Sequence, residues 1–263
     1  MKVTFIGGGT MAEAIIGRLV GSGIVSAGDV CVVEPVQARR ELLQREYGVY
    51  TFADPSACVE GADIILLAVK PQDLDTVAGQ LGALHTSQLV VSILAGVRVE
   101  RLQRSLGHSC IVRAMPNTPA RIGRSMTVWT STPQVTTEQK DTTKRILGTL
   151  GEQLYVPDEK YLDMATALSG SGPAYVFLFV EALVDGAVRI GMPRAMAQTL
   201  VEATLLGSVE YLRSSGVHAA ELRSGVTSPG GTTAAALHEL EKGSLRSTVA
   251  EAIAAAYEKA KTL

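Results

Sequence analysis

Five short runs in the first half of the chain are apolar along nearly their whole length: Val3–Gly7, Val30–Glu34, Asp63–Val69, Leu89–Leu94 and Ile111–Met115. A strand with one wet face alternates apolar and polar residues; a strand covered on both faces does not. Segments with helical spacing lie between the runs, at Met11–Val20, Gln37–Tyr47, Gln72–Leu84 and Val99–Leu106. Repeated strand–helix units of this kind imply right-handed crossovers and an α/β, Rossmann-like, doubly wound parallel sheet. Two further short strands are expected near Ser125–Thr130 and Gln153–Val156, flanking a helix over Thr137–Leu150.

After Tyr161 no strand signal returns. Pro173 suits the first turn of a helix running to about Ile190. Gly191-Met192-Pro193 breaks that helix, and further helices follow to about Ser214, around Ala219–Ser224, and over Thr233–Glu241 and Leu245–Lys261. The expected organisation is a dinucleotide-binding domain over 1–160 and an all-α domain over 161–263. With 263 residues, 46% of them hydrophobic, the chain can supply both cores. The helix Tyr175–Ile190 is apolar nearly all round, the pattern of a helix covered on every side. Roughly 100 residues of helix are too few to surround it, so the helical domain is expected to pack against a second copy of itself; a well-covered monomer core is the alternative.

Net charge is −2, pI is about 6.1, and the Lys and Arg residues are scattered among acids. That excludes an electrostatic footprint for nucleic acid or an acidic membrane. The longest strongly apolar stretch, Ala174–Val184, is interrupted by Glu181 and is too short to cross a bilayer. The first apolar run reaches Gly7 too soon for a signal-peptide core, so a cytoplasmic protein is expected. Cys31, Cys58 and Cys110 form no Cys-x-x-Cys, and reduced buried thiols are their plain reading. No metal site is expected. His85 and His108 read as surface-loop residues; His218 and His238 flank the glycine-rich stretch described below.

Two glycine-rich turns carry the chemistry. Gly7-Gly8-Gly9-Thr10-Met11-Ala12 follows the first strand and opens a helix, fitting G-x-G-x-x-A. Gly7 permits the tight turn, Gly9 admits a pyrophosphate to the backbone, and Ala12 lets helix and strand approach. Glu34 ends the second run, where an acid accepts hydrogen bonds from a ribose 2′-OH and favours NADH. Arg39 and Arg40, just beyond, could instead meet a 2′-phosphate and favour NADPH, or form a solvated helix face. Ala68-Val69-Lys70-Pro71, Ala95-Gly96 and Asn117 close later strands, at the rim where such sheets bind ligands. Lys70 could face the phosphates or be a solvated loop lysine; Asn117 could bond the nicotinamide amide or stiffen a proline turn.

The second turn is Val226-Thr227-Ser228-Pro229-Gly230-Gly231-Thr232-Thr233, leading into an Ala-rich helix. Glycines without Cβ allow close approach, and the helix start offers unpaired N–H groups and a positive dipole end to a small anion. An anion cradle plus a dinucleotide site is the minimum apparatus of a reductase acting on a small carboxylic acid. Helix N-capping is the alternative role for the two threonines.

Six motifs occur in order: Gly7-x-Gly9, Ala68-Val69-Lys70-Pro71, Arg113-Ala114-Met115-Pro116-Asn117-Thr118-Pro119, Leu168-Ser169-Gly170-Ser171-Gly172-Pro173-Ala174-Tyr175, Gly191-Met192-Pro193-Arg194 and Ser228-Pro229-Gly230-Gly231-Thr232-Thr233. The chain thereby resembles the pyrroline-5-carboxylate reductases along essentially its whole length. The resemblance implies hydride transfer from NADPH or NADH to a cyclic imine bearing a carboxylate, yielding proline. It also implies a helical domain that interleaves with a partner into a homodimer, with five dimers assembling into a decamer in some members. On that resemblance, the Gly230–Thr233 turn holds the substrate, with the backbone amides of Gly231, Thr232 and Thr233 on the carboxylate. The Thr233 hydroxyl is the candidate contact to the imine nitrogen, and Ser169 and Ser171 line the pocket. The chain departs from the family pattern at Arg223-Ser224-Gly225, ahead of the cradle, and at Glu34, where many NADPH-using relatives have a small or basic residue.

Overall fold

The protein, described by a computed structural model over residues 1–262, divides into two compact units: Met1–Ser171 with the chain end from Ala256, and Gly172–Ala255. The first unit is built on eight strands: β1 (Val3–Ile6), β2 (Val30–Val33), β3 (Tyr50–Phe52), β4 (Ile64–Leu67), β5 (Leu89–Ser92), β6 (Ile111–Met115), β7 (Ser125–Ser131) and β8 (Gly151–Tyr155). They form one sheet in the order β3-β2-β1-β4-β5-β6-β7-β8. The doubly wound sheet expected from the apolar runs is present. Alternate residues of each strand feed opposite faces. Phe5, Val32, Leu66 and Val91 enter one core with helix α1 (Thr10–Gly21). Ile6, Val33, Ile65 and Val90 enter the other with α3 (Leu74–Leu81) and α4 (Val99–Leu106). Both faces being buried, both residue sets are predominantly apolar, which is why the runs do not alternate.

Three details depart from the sequence reading. β3 has no counterpart among the expected strands: it is three residues long, begins just after Gly48 ends α2 (Gln37–Tyr47) in the left-handed region (φ +68°), and leaves Tyr50 and Phe52 exposed at the sheet edge. β7 runs antiparallel to β6. The link between them holds only the 3-10 turn Thr118–Ile122, and a parallel return needs a crossover of a dozen residues or more. The expected helix over Gln72–Leu84 is shorter, a 3-10 turn at Pro71–Asp73 leading into α3. Helix α5 (Thr137–Gly148) carries the connection from β7 to β8, opened by a capping box in which Thr136 and Gln139 satisfy each other's backbone amides.

Past β8 the described residues contain no strand. Helix α6 (Lys160–Ala165) leads through a π-turn, Thr166–Gly170, closed by the Ser171 amide on the Thr166 carbonyl oxygen at 2.8 Å. The second unit holds α7 (Gly172–Arg189), α8 (Arg194–Ser215), α9 (Ala219–Gly225), α10 (Thr232–Lys242) and most of α11 (Leu245–Ala260). Helix α7 is apolar nearly all round, yet within one chain only Val184 is buried; Phe177 and Leu178 are more than 60% exposed. The helical run Lys160–Arg189 is long and apolar enough to cross a membrane by length and composition alone. The expectation that no segment is long enough fails because the π-turn joins α6 to α7 and lengthens the run.

Candidate functional site

In the first unit the expected dinucleotide residues converge. β1 lies between β2 and β4, so the strand order reverses there, and a crevice opens at the carboxyl ends of such strands. Gly7 follows β1, Glu34 follows β2, Ala68-Val69-Lys70-Pro71 follows β4, Ala95-Gly96 lies beyond β5, and Asn117 follows β6. Gly7 has φ +100°, and a Cβ there would sit 2.7 Å from the Ala68 carbonyl oxygen, so glycine is obligatory. Gly9 differs: its φ is −67°, and a Cβ would meet nothing within 4 Å. It is also the N-cap of α1, with no side chain capping the helix, so the first-turn amides of Thr10, Met11 and Ala12 lack side-chain partners. Open space in front of uncapped amides is the shape a pyrophosphate requires, and these residues fit a dinucleotide.

Glu34 is turned inward and buried. One carboxylate oxygen accepts the Gly8 amide and the other the Val36 amide, each at 2.9 Å, so the side chain props the glycine turn from beneath. Arg39 donates to the Gly8 carbonyl oxygen at 2.5 Å and pairs with Glu13, whose other oxygen accepts the Tyr47 hydroxyl at 3.1 Å. Burial raises the Glu13 pKa, but the Arg39 and Tyr47 contacts outweigh it and leave the carboxyl below the usual carboxylate range. Arg40 donates to the Glu34 and Pro35 carbonyl oxygens at 2.8 Å, which parks a guanidinium at the carboxyl end of β2. Lys70 is exposed at the rim. Asn117 spends its amide within the fold: Nδ2 donates to the Ser169 carbonyl oxygen at 3.0 Å and Oδ1 accepts the Met126 amide at 3.1 Å.

A buried ion cluster, which the sequence reading did not single out, fixes the β6 strand that ends at this rim. Arg113 is 2% exposed and donates to Glu159 at 2.7 Å and to Asp163 at 3.0 Å. Glu159 also accepts the Val99 amide. An arginine inside an otherwise apolar strand, with acids in the helix that follows the sheet, is the signal that could have found it. Arg113→Leu removes the buried cation and leaves Asp163 only the exposed Arg98, 3.6 Å away, and urea unfolding should show a loss of about 3 kcal/mol or more; a loss below about 1 kcal/mol would mean the cluster is dispensable.

In the second unit the Gly230–Thr233 turn runs directly into a helix start. Gly230 has φ +70°. Gly231 is the N-cap of α10, its amide donates to the Ser228 carbonyl oxygen at 3.1 Å, and no side chain caps the helix. The threonines therefore do not cap: they occupy the first two helical positions, and neither hydroxyl makes a hydrogen bond among the described residues. Thr232 is exposed and Thr233 half-buried. What remains is a helix start with unanswered amides, a positive dipole end and two unspent hydroxyls, which together can hold a small carboxylate. Beside it, Arg223, Ser224, Thr227 and His238 line a cavity of about 370 Å³ with residues of α10. Gly225 ends α9.

Ser171 closes the π-turn in the first unit, and Ser169 donates its hydroxyl to the Ala165 carbonyl oxygen at 3.0 Å. His108, expected in a surface loop, is buried, with Nε2 2.8 Å from the Gln88 carbonyl oxygen. His218 caps α9 through its ring nitrogen, and His238 is exposed on α10. Among the described residues no cluster of ligating side chains could hold a metal ion.

Residues 159–263 match the family model described as pyrroline-5-carboxylate reductase dimerisation, and residues 2–96 match that of the NADP oxidoreductases, coenzyme F420-dependent. A pyrroline-5-carboxylate reductase of Synechocystis is 43% identical over the full 263 residues, covering 98% of that protein. The Escherichia coli enzyme of the same name is 39% identical, covering all of this chain and 98% of that protein. The chain belongs to the pyrroline-5-carboxylate reductase family. A solved member from Coxiella burnetii superposes with a TM-score of 0.91 at 36% identity, over 99% of this chain and 97% of that one. The Plasmodium falciparum pyrroline carboxylate reductase, solved with NADP bound, gives 0.92 at 32% identity, over 100% and 97%. The matched dimerisation region includes the exposed apolar helix α7.

Proposed function

We propose that the protein reduces 1-pyrroline-5-carboxylate to L-proline, using NADPH, as a cytoplasmic homodimer. The observation that carries this reading is the uncapped start of α10: a glycine N-cap, free amides at Thr232 and Thr233, and a Thr233 hydroxyl with no partner among the described residues. The substrate is a five-membered cyclic imine with a carboxylate. Once protonated, its C=N carbon accepts hydride readily, so the protein need supply little beyond placement. Bound NADPH supplies the hydride. The chain's own residues hold the carboxylate on the α10 amides, each charge-assisted bond contributing about 1.5–3 kcal/mol. The Thr233 hydroxyl orients the imine nitrogen or passes it a proton through water, since a threonine hydroxyl is itself a poor acid. Between Tyr161 and Leu240 the chain has no lysine, which fits a reaction needing no strong general base in the helical half and weighs against alcohol oxidation.

Two features support NADPH over NADH. The Glu34 carboxylate, which would have held a ribose 2′-OH, has both oxygens engaged by backbone amides. The Arg40 guanidinium rests on carbonyl oxygens at the end of β2, near where a 2′-phosphate belongs. For the dimer, the support is the apolar surface of α7 and α8 together with the matched dimerisation region. A partner copy covers this surface better than lipid does, because Glu181 and Asp185 interrupt it and Asp185 pairs with Arg194 at 2.7 Å.

The test is an assay of the purified chain with 1-pyrroline-5-carboxylate, following loss of reduced nicotinamide. We expect turnover, with kcat/KM at least about tenfold higher for NADPH, a difference of about 1.4 kcal/mol. Equal or better use of NADH would overturn the cofactor assignment, and no turnover with either would overturn the reaction. Thr233→Val should lower kcat by about tenfold or more while leaving dinucleotide affinity unchanged; unchanged kcat would remove the hydroxyl from the reaction. Sedimentation should give a dimer or a ring of five dimers, and a monomer would refute the assembly.

A further inference from the structure

Away from the glycine rim, near the amino ends of the strands, two thiols meet. Cys31 is the second residue of β2, in register with Thr4 on β1 and Tyr50 on β3. These three face the side of the sheet that holds Ile6 and Val33, but near β3 no helix covers that side: only the short 3-10 turn Pro55–Ala57 links β3 to β4. The segment after that turn is pinned over the sheet by the buried Thr4, whose hydroxyl donates to the Cys58 carbonyl oxygen at 2.7 Å. Because Thr4 and Cys31 are register neighbours, this bond brings Cys58 over Cys31. Both line a cavity of about 370 Å³, together with Lys2, Tyr50, Phe52 and Gly61. Both are half-buried, against the sequence expectation of buried thiols; the third cysteine, Cys110, is buried and directs its thiol at the Thr86 and Gln134 carbonyl oxygens.

The two thiols are not equivalent. The hydrogen bond from Cys31, opposed by burial and aided by Thr4, holds the Cys58 pKa below that of an ordinary thiol. The same bond, with burial, pushes Cys31 up. Cys58 is thus the more readily ionised of the two and the attacking sulfur, with Cys31 beside it. When the Cys58 sulfur is consumed, its share of the upward shift on Cys31 goes with it and only burial still opposes ionisation there.

We propose that Cys31 and Cys58 form a thiol–disulfide exchange site that reacts with small organic disulfides and closes to an intramolecular disulfide. The Cys58 thiolate attacks one sulfur of the reagent, its S–S bond breaks, and the first small thiolate departs with the electron pair. Cys31 releases its proton to water, attacks the Cys58 sulfur of the mixed disulfide, and expels the second small thiolate. Two cysteines are oxidised and one small disulfide is reduced to two thiols. The site lies at the opposite end of the strands from the glycine turn, so this chemistry does not consume the dinucleotide rim and does not depend on the reductase reading.

The test uses the full native chain and 5,5′-dithiobis(2-nitrobenzoate), a small aromatic disulfide. The wild-type chain should release two nitrothiobenzoate ions, retain no label by intact mass, lose the mass of two hydrogens, and yield a Cys31–Cys58 cross-link on peptide mapping. Cys31→Ser should release one ion and keep one label on Cys58. Cys58→Ser should react at least about tenfold more slowly than Cys31→Ser, because the sulfur that ionises more readily is gone. A wild-type chain that keeps its label, or a cross-link between different chains, would overturn the proposal without reference to any variant. So would a Cys58→Ser chain that reacts as fast as Cys31→Ser.

Discussion

Gly231→Val should reduce kcat/KM for the cyclic imine by at least about 100-fold, or about 2.7 kcal/mol, while dinucleotide affinity stays at the wild-type value. A Cβ at this position would stand 2.5 Å from the Ser228 Oγ and 3.2 Å from the Ser228 carbonyl oxygen. The side chain can rotate; the carbonyl cannot, because it already accepts the Gly231 amide and so defines the turn. The added bulk must therefore displace Ser228–Gly230, and with it the direction of the Thr232 and Thr233 amides. Losing the aim of two charge-assisted bonds at about 1.5–3 kcal/mol each exceeds the stated drop. The binding change should fall on substrate, read as a raised KM, and binding of a substrate-like carboxylate such as proline should weaken in parallel. Unchanged KM with normal turnover would place the carboxylate elsewhere on the protein.

Gly9→Val should leave stability within about 0.5 kcal/mol and weaken dinucleotide binding by about 100-fold or more. The two halves of that prediction rest on different observations. The Gly9 backbone is extended, with φ −67° and ψ −176°, a conformation valine adopts without strain, and no atom lies within 4 Å of a Cβ placed there. Nothing in the protein needs a glycine at this position; only a ligand resting on the α1 amides does. Gly7→Val is the control: with φ +100° and Ala68 backbone atoms under 3 Å from the added Cβ, it should unfold the turn and lower the denaturation midpoint as well as binding. If Gly9→Val binds dinucleotide normally by fluorescence titration, the glycine turn is not the pyrophosphate site.

The parts of the fold that follow from local rules could be read from the chain. Strands buried on both faces must be predominantly apolar, so β1, β2, β4, β5 and β6 stood out; a turn residue with positive φ favours glycine, so Gly7 and Gly230 did as well. β3 and the direction of β7 could not be read. The first depends on an edge that tolerates exposed Tyr50 and Phe52, and the second on the length of a link whose 3-10 turn has no distinct signature. For side chains the limit was sharper. Glu34 and Asn117 carry the right groups in the right places, yet their oxygens and nitrogens are committed to backbone partners at Gly8, Val36, Ser169 and Met126. A carboxylate or amide at a rim looks the same in sequence whether it faces a ligand or the protein.

The sequence by itself determined the layered sheet, the two glycine turns and an apolar helix in need of cover, because each is a consequence of backbone geometry or water exclusion acting over a few neighbouring residues. Only the tertiary structure decided that Glu34 props the glycine turn, that Arg113 is clamped between Glu159 and Asp163, and that Cys58 rests against Cys31. These pairings join residues 26 to 50 positions apart. What brings them together is strand order and register, which a chain acquires only when all its parts pack at once.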